Sequence, residues 1–396
     1  MANTIKMPSR LLSLDVMRGM TIAGMILVNN PGSWTSIYTP LEHSTWNGLT
    51  PTDLVFPFFI FIMGVSMFLS YKKFDFKLSG QTFKKLLRRS ALLFLIGLLL
   101  NWFSLFCREL NGLRLDDLSL FEKIWKSALN FENLRVLGVL QRLALVYFFG
   151  SLVILLVKPK RIPGIVGFIL VLYWFLMAIT DSYGQDESSL VAIIDRAVLG
   201  ISHLYTDHLA DGTTIAFDPE GLLSTLPCIA HVLLGFWAGK LISETKDNGD
   251  KIQKLFLFGT IILFIGFLLN YGFPINKKIW SSSYVLVTCG LASLLLGLLV
   301  WIIDIKGKKR WSVFFESFGV NPLFLYVIGV ILSIWLGNIG FEYYGEWMSL
   351  KGFVYSQGLT PFFGNYLGSL LFALSFVTII WFIGNILYKK KILIKL

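Results

Sequence analysis

His43 and Asp53 stand ten residues apart in the polar stretch Leu41-Glu42-His43-Ser44-Thr45-Trp46-Asn47-Gly48-Leu49-Thr50-Pro51-Thr52-Asp53. On either side of it lies an apolar run long enough to be a membrane helix. Imidazole ordinarily titrates near neutral pH, and a carboxylate beside it can fix its tautomer. Such a pair can move a proton or carry an acyl group. The same residues would also make an ordinary loop, so the rest of the chain has to decide.

Other residues lie where a membrane disfavours them. Asp15 and Arg18 are three apart in the first apolar run and share a helix face. They form either an ion pair that snorkels to the boundary or part of a ligand site. Arg142, after Gln141, lies deep in an apolar run with no acid nearby in sequence. It either pairs with Asp15 or Glu316 across a bundle or binds an anion. Asn29, Asn30, Asn101, Glu316 and Asn321 add polar atoms at membrane depth. Helices lined this way enclose a polar cavity, because lipid would leave such groups unsatisfied. Ser281, Ser282 and Ser283 open another run with hydroxyls that cap a helix or hold an anion at its N-terminus. Gly319-Val320-Asn321-Pro322 interrupts a further run, since proline lacks an N–H and its predecessor avoids α geometry. The chain carries no Walker lysine motif, no GxGxxG after a strand, no HExxH and no GxSxG. His203 and His208 are five apart, poor spacing for two ligands on one helix face, and no metal is expected.

The elements that must position these residues follow from composition. Of 396 residues 55% are hydrophobic and only 15% charged, against about 25% charged in soluble domains. Water could not solvate such a surface, so the chain reads as one all-α polytopic membrane domain, 1–396. About ten or eleven transmembrane helices are expected around a polar cavity. Ten runs are marked: Leu12–Asn30, Asp53–Tyr71, Leu86–Phe106, Leu134–Val157, Ile162–Thr180, Leu223–Leu241, Leu255–Phe273, Ser282–Ile303, Val313–Leu336 and Tyr366–Tyr388. The first run has no small-residue cleavage pattern and stays as a helix. Cys107, Cys228 and Cys289 fall in or beside separate runs and imply no disulfide framework.

Lysine and arginine concentrate in alternate connections: Lys6 and Arg10; Lys72 to Arg89; Lys158 to Arg161; Lys246 to Lys254; Lys306 to Arg310; Lys389 to Lys395. By the positive-inside rule these connections and both termini are cytoplasmic. The net charge of +11 then reflects topology and contact with anionic membrane lipid, with no nucleic-acid partner implied. His43 falls on the outer face. Outer loops 31–52, 107–133, 181–222 and 337–365 are long, and the second and third can fold over the outer mouth as lids.

Several separated blocks resemble a known family of transmembrane acetyltransferases, typified by lysosomal heparan-α-glucosaminide N-acetyltransferase and its bacterial relatives. They are Ser13-Leu14-Asp15-Val16-Met17-Arg18-Gly19, His43 through Gly64, Leu137 to Leu143, Asp218-Pro219-Glu220-Gly221, Asn276 through Tyr284, and Tyr388-Lys389-Lys390-Lys391-Ile392. The resemblance implies transfer of an acetyl group from cytosolic acetyl-CoA to the amine of a terminal glucosamine across the bilayer. It also implies a homodimer in a bacterial inner membrane. It matches His43 to the family's catalytic histidine, Asn29 to the asparagine ending the first helix, and Asp53 to the aspartate opening the second. One departure stands out: the lysosomal enzyme has a His-Glu pair where this chain has Gly329 and Val330.

The residues agree with that chemistry. His43 can serve as base or acetyl carrier, oriented by Asp53, with the Asn29 amide as oxyanion donor. CoA is a polyanion, for which Arg18 and Arg142 are the cations available within the bundle. Asp15, Gln141, Ser281, Ser282 and Asn321 are the further donor-site candidates, and Trp46, Asn47, Asp218 and Glu220 the acceptor-site ones. Direct transfer needs only that the donor span the cavity, which favours it over an acetyl-histidine intermediate. The rival readings are an O-acyltransferase acting on envelope glycans and a secondary transporter of an anionic solute.

Overall fold

The computed structural model describes residues 11–209 and 212–394. Lys6, Arg10 and Lys395 of the basic set lie outside the described residues. The chain is a helical bundle in which each of the ten apolar runs holds a helix. These are α1 (Leu12–Val28), α2 (Val55–Tyr71), α3 (Gly80–Gly112), α5 (Val139–Leu156), α6 (Ile162–Ile179), α8 (Thr225–Glu244), α9 (Asn248–Leu269), α10 (Ser282–Leu299), the pair α11 (Val313–Val320) and α12 (Pro322–Asn338), and α14 (Thr360–Lys389). Short helices α4 (Leu120–Ala128), α7 (Leu190–Leu199) and α13 (Leu350–Phe353) lie between them.

Eight of these helical stretches are long and apolar enough to cross a membrane, and α11 with α12, bent by 77° at Asn321, makes a ninth if taken as one span. Helix α1 has 17 residues, the lower end of what a bilayer of about 30 Å requires. The interruption read at Asn321-Pro322 is therefore a sharp bend. Helix α3 runs well past the expected span at both ends; its start is set by Ser79, which caps it by accepting from Thr82 N at 3.1 Å. Exposed apolar side chains such as Leu99 on α3, Phe168 on α6 and Phe264 on α9 give these helices a face suited to lipid.

The expected long loops carry structure of their own. Antiparallel hairpins β1 (Thr206–His208) with β2 (Thr214–Ala216) and β3 (Gly340–Tyr343) with β4 (Glu346–Ser349) lie in the third and fourth. The loops sort to two ends of the bundle. Lys72 Nζ donates to Ser243 Oγ at 2.9 Å, joining the ends of α2 and α8. At the opposite end the loop after α1 meets the loop before α10, where Gly48 N donates to Ile275 O at 2.8 Å.

A cavity of about 560 Å³ lies among α1, α2, α3, α5 and the α11–α12 bend, with Arg18, Ser66, Arg89 and Tyr326 in its wall. Backbone contact between α1 and α11 closes one side. A Cβ added at Gly19 would sit 1.8 Å from Phe315 O, and one at Gly319 2.0 Å from Asp15 O. Only glycine permits that approach.

Candidate active site

Asp53 is held rigidly before it holds anything else. It sits in a 3₁₀ turn, Pro51–Leu54, that leads into α2, closed by a capping box with Thr50. Its Oδ2 accepts from Ser44 N and Thr50 N, each at 3.1 Å, and from Thr50 Oγ1 at 3.0 Å. The side chain is fully buried, and Tyr284 OH donates to the Asp53 carbonyl at 2.6 Å. That leaves Oδ1, which takes His43 Nδ1 at 2.6 Å.

A carboxylate can only accept, so His43 Nδ1 carries the proton and Nε2 keeps its lone pair as an acceptor. The His43 side chain is 46% exposed, so Asp53 anchors an imidazole that incoming molecules can still reach. The geometry suits a general base or a nitrogen nucleophile whose conjugate acid a buried carboxylate would stabilise.

A third group completes the cluster. Lys277 Nζ lies 3.0 Å from His43 Nδ1, 3.3 Å from Nε2 and 3.5 Å from Asp53 Oδ1. Burial pushes its ammonium below the ordinary lysine value, against the pull of Asp53. The Trp46-Asn47-Gly48 segment brings it there. Asn47 forms an isolated bridge with Asn276 and accepts from its Nδ2 at 3.2 Å. Gly48 has φ +121°, a backbone that a side chain would strain. Trp46 packs edge-on against Phe217, with ring centroids 5.6 Å apart, and its Nε1 donates to Tyr183 O at 2.8 Å. Lys278 turns the other way, to Asp207 at 2.6 Å. Sequence reasoning gave Lys277 no role. Its only signal was membership of the Asn276–Tyr284 block.

Asn29 caps the C-terminus of α1 and is exposed. Its amide makes no side-chain hydrogen bond among the described residues.

The donor-site candidates separate into two groups. Arg18 is in the cavity wall. It donates to Asp15 at 2.6 Å and to Ser66 Oγ at 2.9 Å, so the ion pair and the cavity position coexist. Asn321 sits at the bend between cavity-lining neighbours, but its side chain ties the tail, donating to Ile392 O and accepting from Ile394 N. Arg142, Gln141, Ser281 and Ser282 do not line the cavity and are buried. Arg142 pairs with neither Asp15 nor Glu316. It donates to Gly221 O at 3.0 Å and to Ser224 Oγ, with its guanidinium 5.2 Å over the Trp280 ring. Glu316 is satisfied by Ser312 and Tyr388. Ser281 caps α10 and Ser282 donates to Leu170 O, so these hydroxyls are consumed by the fold. Arg89, counted in the sequence only as part of the basic set, also lines the cavity and lies 4.9 Å over the Tyr147 ring.

Asp218 and Glu220 are likewise taken. Arg135, at the entry to α5, donates to both Asp218 oxygens at 2.9 and 2.7 Å and to Glu220 at 2.5 Å. This bidentate clamp ties the 181–222 loop to the bundle, and His203 Nδ1 adds to it by donating to Leu134 O at 2.8 Å. Beside the clamp a recess of about 1030 Å³ is lined by Asn101, Arg108, Tyr205 and Thr214 among others.

A family model described as heparan-alpha-glucosaminide N-acetyltransferase, catalytic, matches residues 10–271. The chain belongs to this family. A heparan-alpha-glucosaminide N-acetyltransferase from Homo sapiens is 30% identical to it across 98% of the chain. The protein of that name from Mus musculus is 30% identical across 81% of the chain. The chain spans 60% and 53% of the lengths of these relatives. Within the matched residues fall His43, Asp53, Arg18 and Arg89, while Lys277 lies just beyond them.

Proposed function

We propose that the protein is a transmembrane acetyltransferase of a bacterial inner membrane. It moves the acetyl group of cytosolic acetyl-CoA to the amine of a terminal glucosamine or related amino sugar on the outer side. The observation that carries this reading is the Asp53–His43 pair, which leaves Nε2 unprotonated, at the end of the bundle opposite the Lys72–Ser243 contact. The family supports the reaction type, since the matching relatives are named as N-acetyltransferases.

Donor phosphates pair with Arg18 and Arg89 in the cavity, where guanidinium groups suit phosphate geometry. From Arg18 to Asn29 is eleven helical residues, a rise of about 16 Å that the pantetheine arm has to cover. At the outer end the sugar amine attacks the thioester carbonyl. His43 Nε2 takes the amine proton, and Asp53 stabilises the imidazolium. The exposed Asn29 amide is the candidate donor to the developing oxyanion. CoA departs as the thiolate and regains the proton from His43. The recess beside Tyr205, with its polar and aliphatic lining, is where the remainder of a glycan can lie.

The test is mass spectrometry of products from pure protein, labelled acetyl-CoA and a panel of amino sugars. Glucosamine should gain acetyl and N-acetylglucosamine should not; the reverse result would favour the hydroxyl-acceptor reading. His43→Ala should lose about 10²–10⁴-fold in turnover while acetyl-CoA still raises its melting temperature. Near-normal turnover in that variant would overturn the site assignment.

A further inference from the structure

The imidazole nitrogen that an acceptor amine must approach already has an amine beside it. Lys277 Nζ is 3.0 Å from His43 Nδ1 and 3.3 Å from Nε2, so a small shift brings it within the reach over which a general base takes a proton. Its backbone neighbours are fixed on the same scaffold as His43, through the Asn47–Asn276 bridge and the Gly48–Ile275 hydrogen bond. The Lys277 side chain is only 19% exposed and its amine also lies 3.5 Å from Asp53, so it is held at the imidazole as a surface lysine would not be. Its ion pair with Asp53 is the looser kind, at 3.5 Å, because His43 occupies the near position on Oδ1. Lys278 next to it is held at 2.6 Å by Asp207 and has no such access. Burial also favours the uncharged amine at Lys277, and only an uncharged amine is a nucleophile.

We propose that Lys277 is a self-acetylation site: with no acceptor in the centre, His43 directs the donor's acetyl group onto Lys277 Nζ. This rests on the reading above that the thioester reaches His43. The Nζ lone pair attacks the thioester carbonyl carbon, and the C–N bond forms as the C–S bond breaks. His43 Nε2 receives the Nζ proton and returns it to the departing thiolate. The products are Nε-acetyl-lysine and CoA thiol, with nothing oxidised or reduced. Acetylation removes the cation beside Asp53 and fills the space next to Nε2. The enzyme is thereby silenced while donor is plentiful and acceptor scarce.

The experiment incubates the full chain with isotopically labelled acetyl-CoA and no sugar, then locates the label by peptide fragmentation. Lys277 should carry at least about tenfold more label than Lys278, and His43→Ala should lower it about a hundredfold. Equal labelling of the two lysines, or labelling of Lys277 unchanged in His43→Ala, would mean non-enzymatic acetylation and overturn the proposal. A Lys277→Arg chain, checked for folding by its melting temperature, confirms the assignment by losing the His43-dependent label. Parallel reactions with glucosamine separate the two readings. Acetylated glucosamine with Lys277 unlabelled in the sugar-free arm overturns self-acetylation alone. His43-dependent label with no sugar product supports self-acetylation and overturns the acceptor assignment. Neither label nor product overturns both.

Discussion

Replacing Asp53 by asparagine tests the orientation of His43 while nearly preserving shape. Oδ2 accepts three hydrogen bonds, from Ser44 N, Thr50 N and Thr50 Oγ1, so two backbone donors demand an oxygen there. The introduced amide must then place its oxygen in that position and its NH₂ towards His43. A donor facing Nδ1 forces the proton onto Nε2, and the free lone pair that faces the substrate is lost. The anchor of Tyr284 OH on the residue 53 carbonyl is untouched, so the loop keeps its shape. Losing a correctly oriented base costs about 10³–10⁴ in rate, or about 4–5.5 kcal/mol of transition-state stabilisation. Initial rates of acetyl transfer to glucosamine, with donor saturating, measure this directly. The acetyl-CoA-dependent thermal shift should remain, since the cavity is built from other residues. A folded Asp53→Asn enzyme turning over within about tenfold of wild type would refute the claim that tautomer control matters.

Two further outcomes can be measured with the same preparation. Arg89→Gln should raise KM for acetyl-CoA about tenfold, the low end for a charge-assisted contact because Arg89 is exposed. It should hardly change kcat, and the neighbouring Arg88→Gln, outside the cavity wall, should alter neither. Asp195 in the loop between α6 and α8 is pushed up to about 7, chiefly by burial, and accepts from Leu222 N at 2.7 Å. Between about pH 4 and 7 the native chain keeps a proton there that the unfolded chain has lost. Stability should therefore fall as pH rises through that window, by at most about 1.4 kcal/mol per unit. Asp195→Asn keeps the acceptor, and melting curves from pH 5 to 8 should show that contribution to the slope abolished.

Much of the fold was legible because a bilayer makes each span satisfy its own backbone. Apolar runs of the right length had little choice but helix, and Pro322 marked the bend. His43 and Asp53 were legible together because one short loop tethers both to the start of α2. The charged residues inside the bundle misled for a physical reason. Arg142 meets no acid: its Nη2 goes to a backbone carbonyl and a serine hydroxyl and its guanidinium faces an indole, while Nε and Nη1 find no partner among the described residues, and none of this leaves a charge signature. Asp218 and Glu220 read as acceptor-site residues because Arg135, 83 and 85 residues away, cannot be assigned to them from spacing.

The sequence by itself determined what local and membrane physics enforce: helical spans, their breaks, the alternation of basic loops, and the imidazole–carboxylate pair within one loop. Tertiary structure alone decided which cations face the cavity and which amine faces the imidazole. Lys277 reaches His43 across 234 residues through a two-residue bridge whose pairing no periodicity encodes. Arg89 separates from Arg88 only once α3 has packed against α5 and turned one side chain towards the cavity. Contacts of that kind depend on how helices rotate against one another, which hydropathy does not specify.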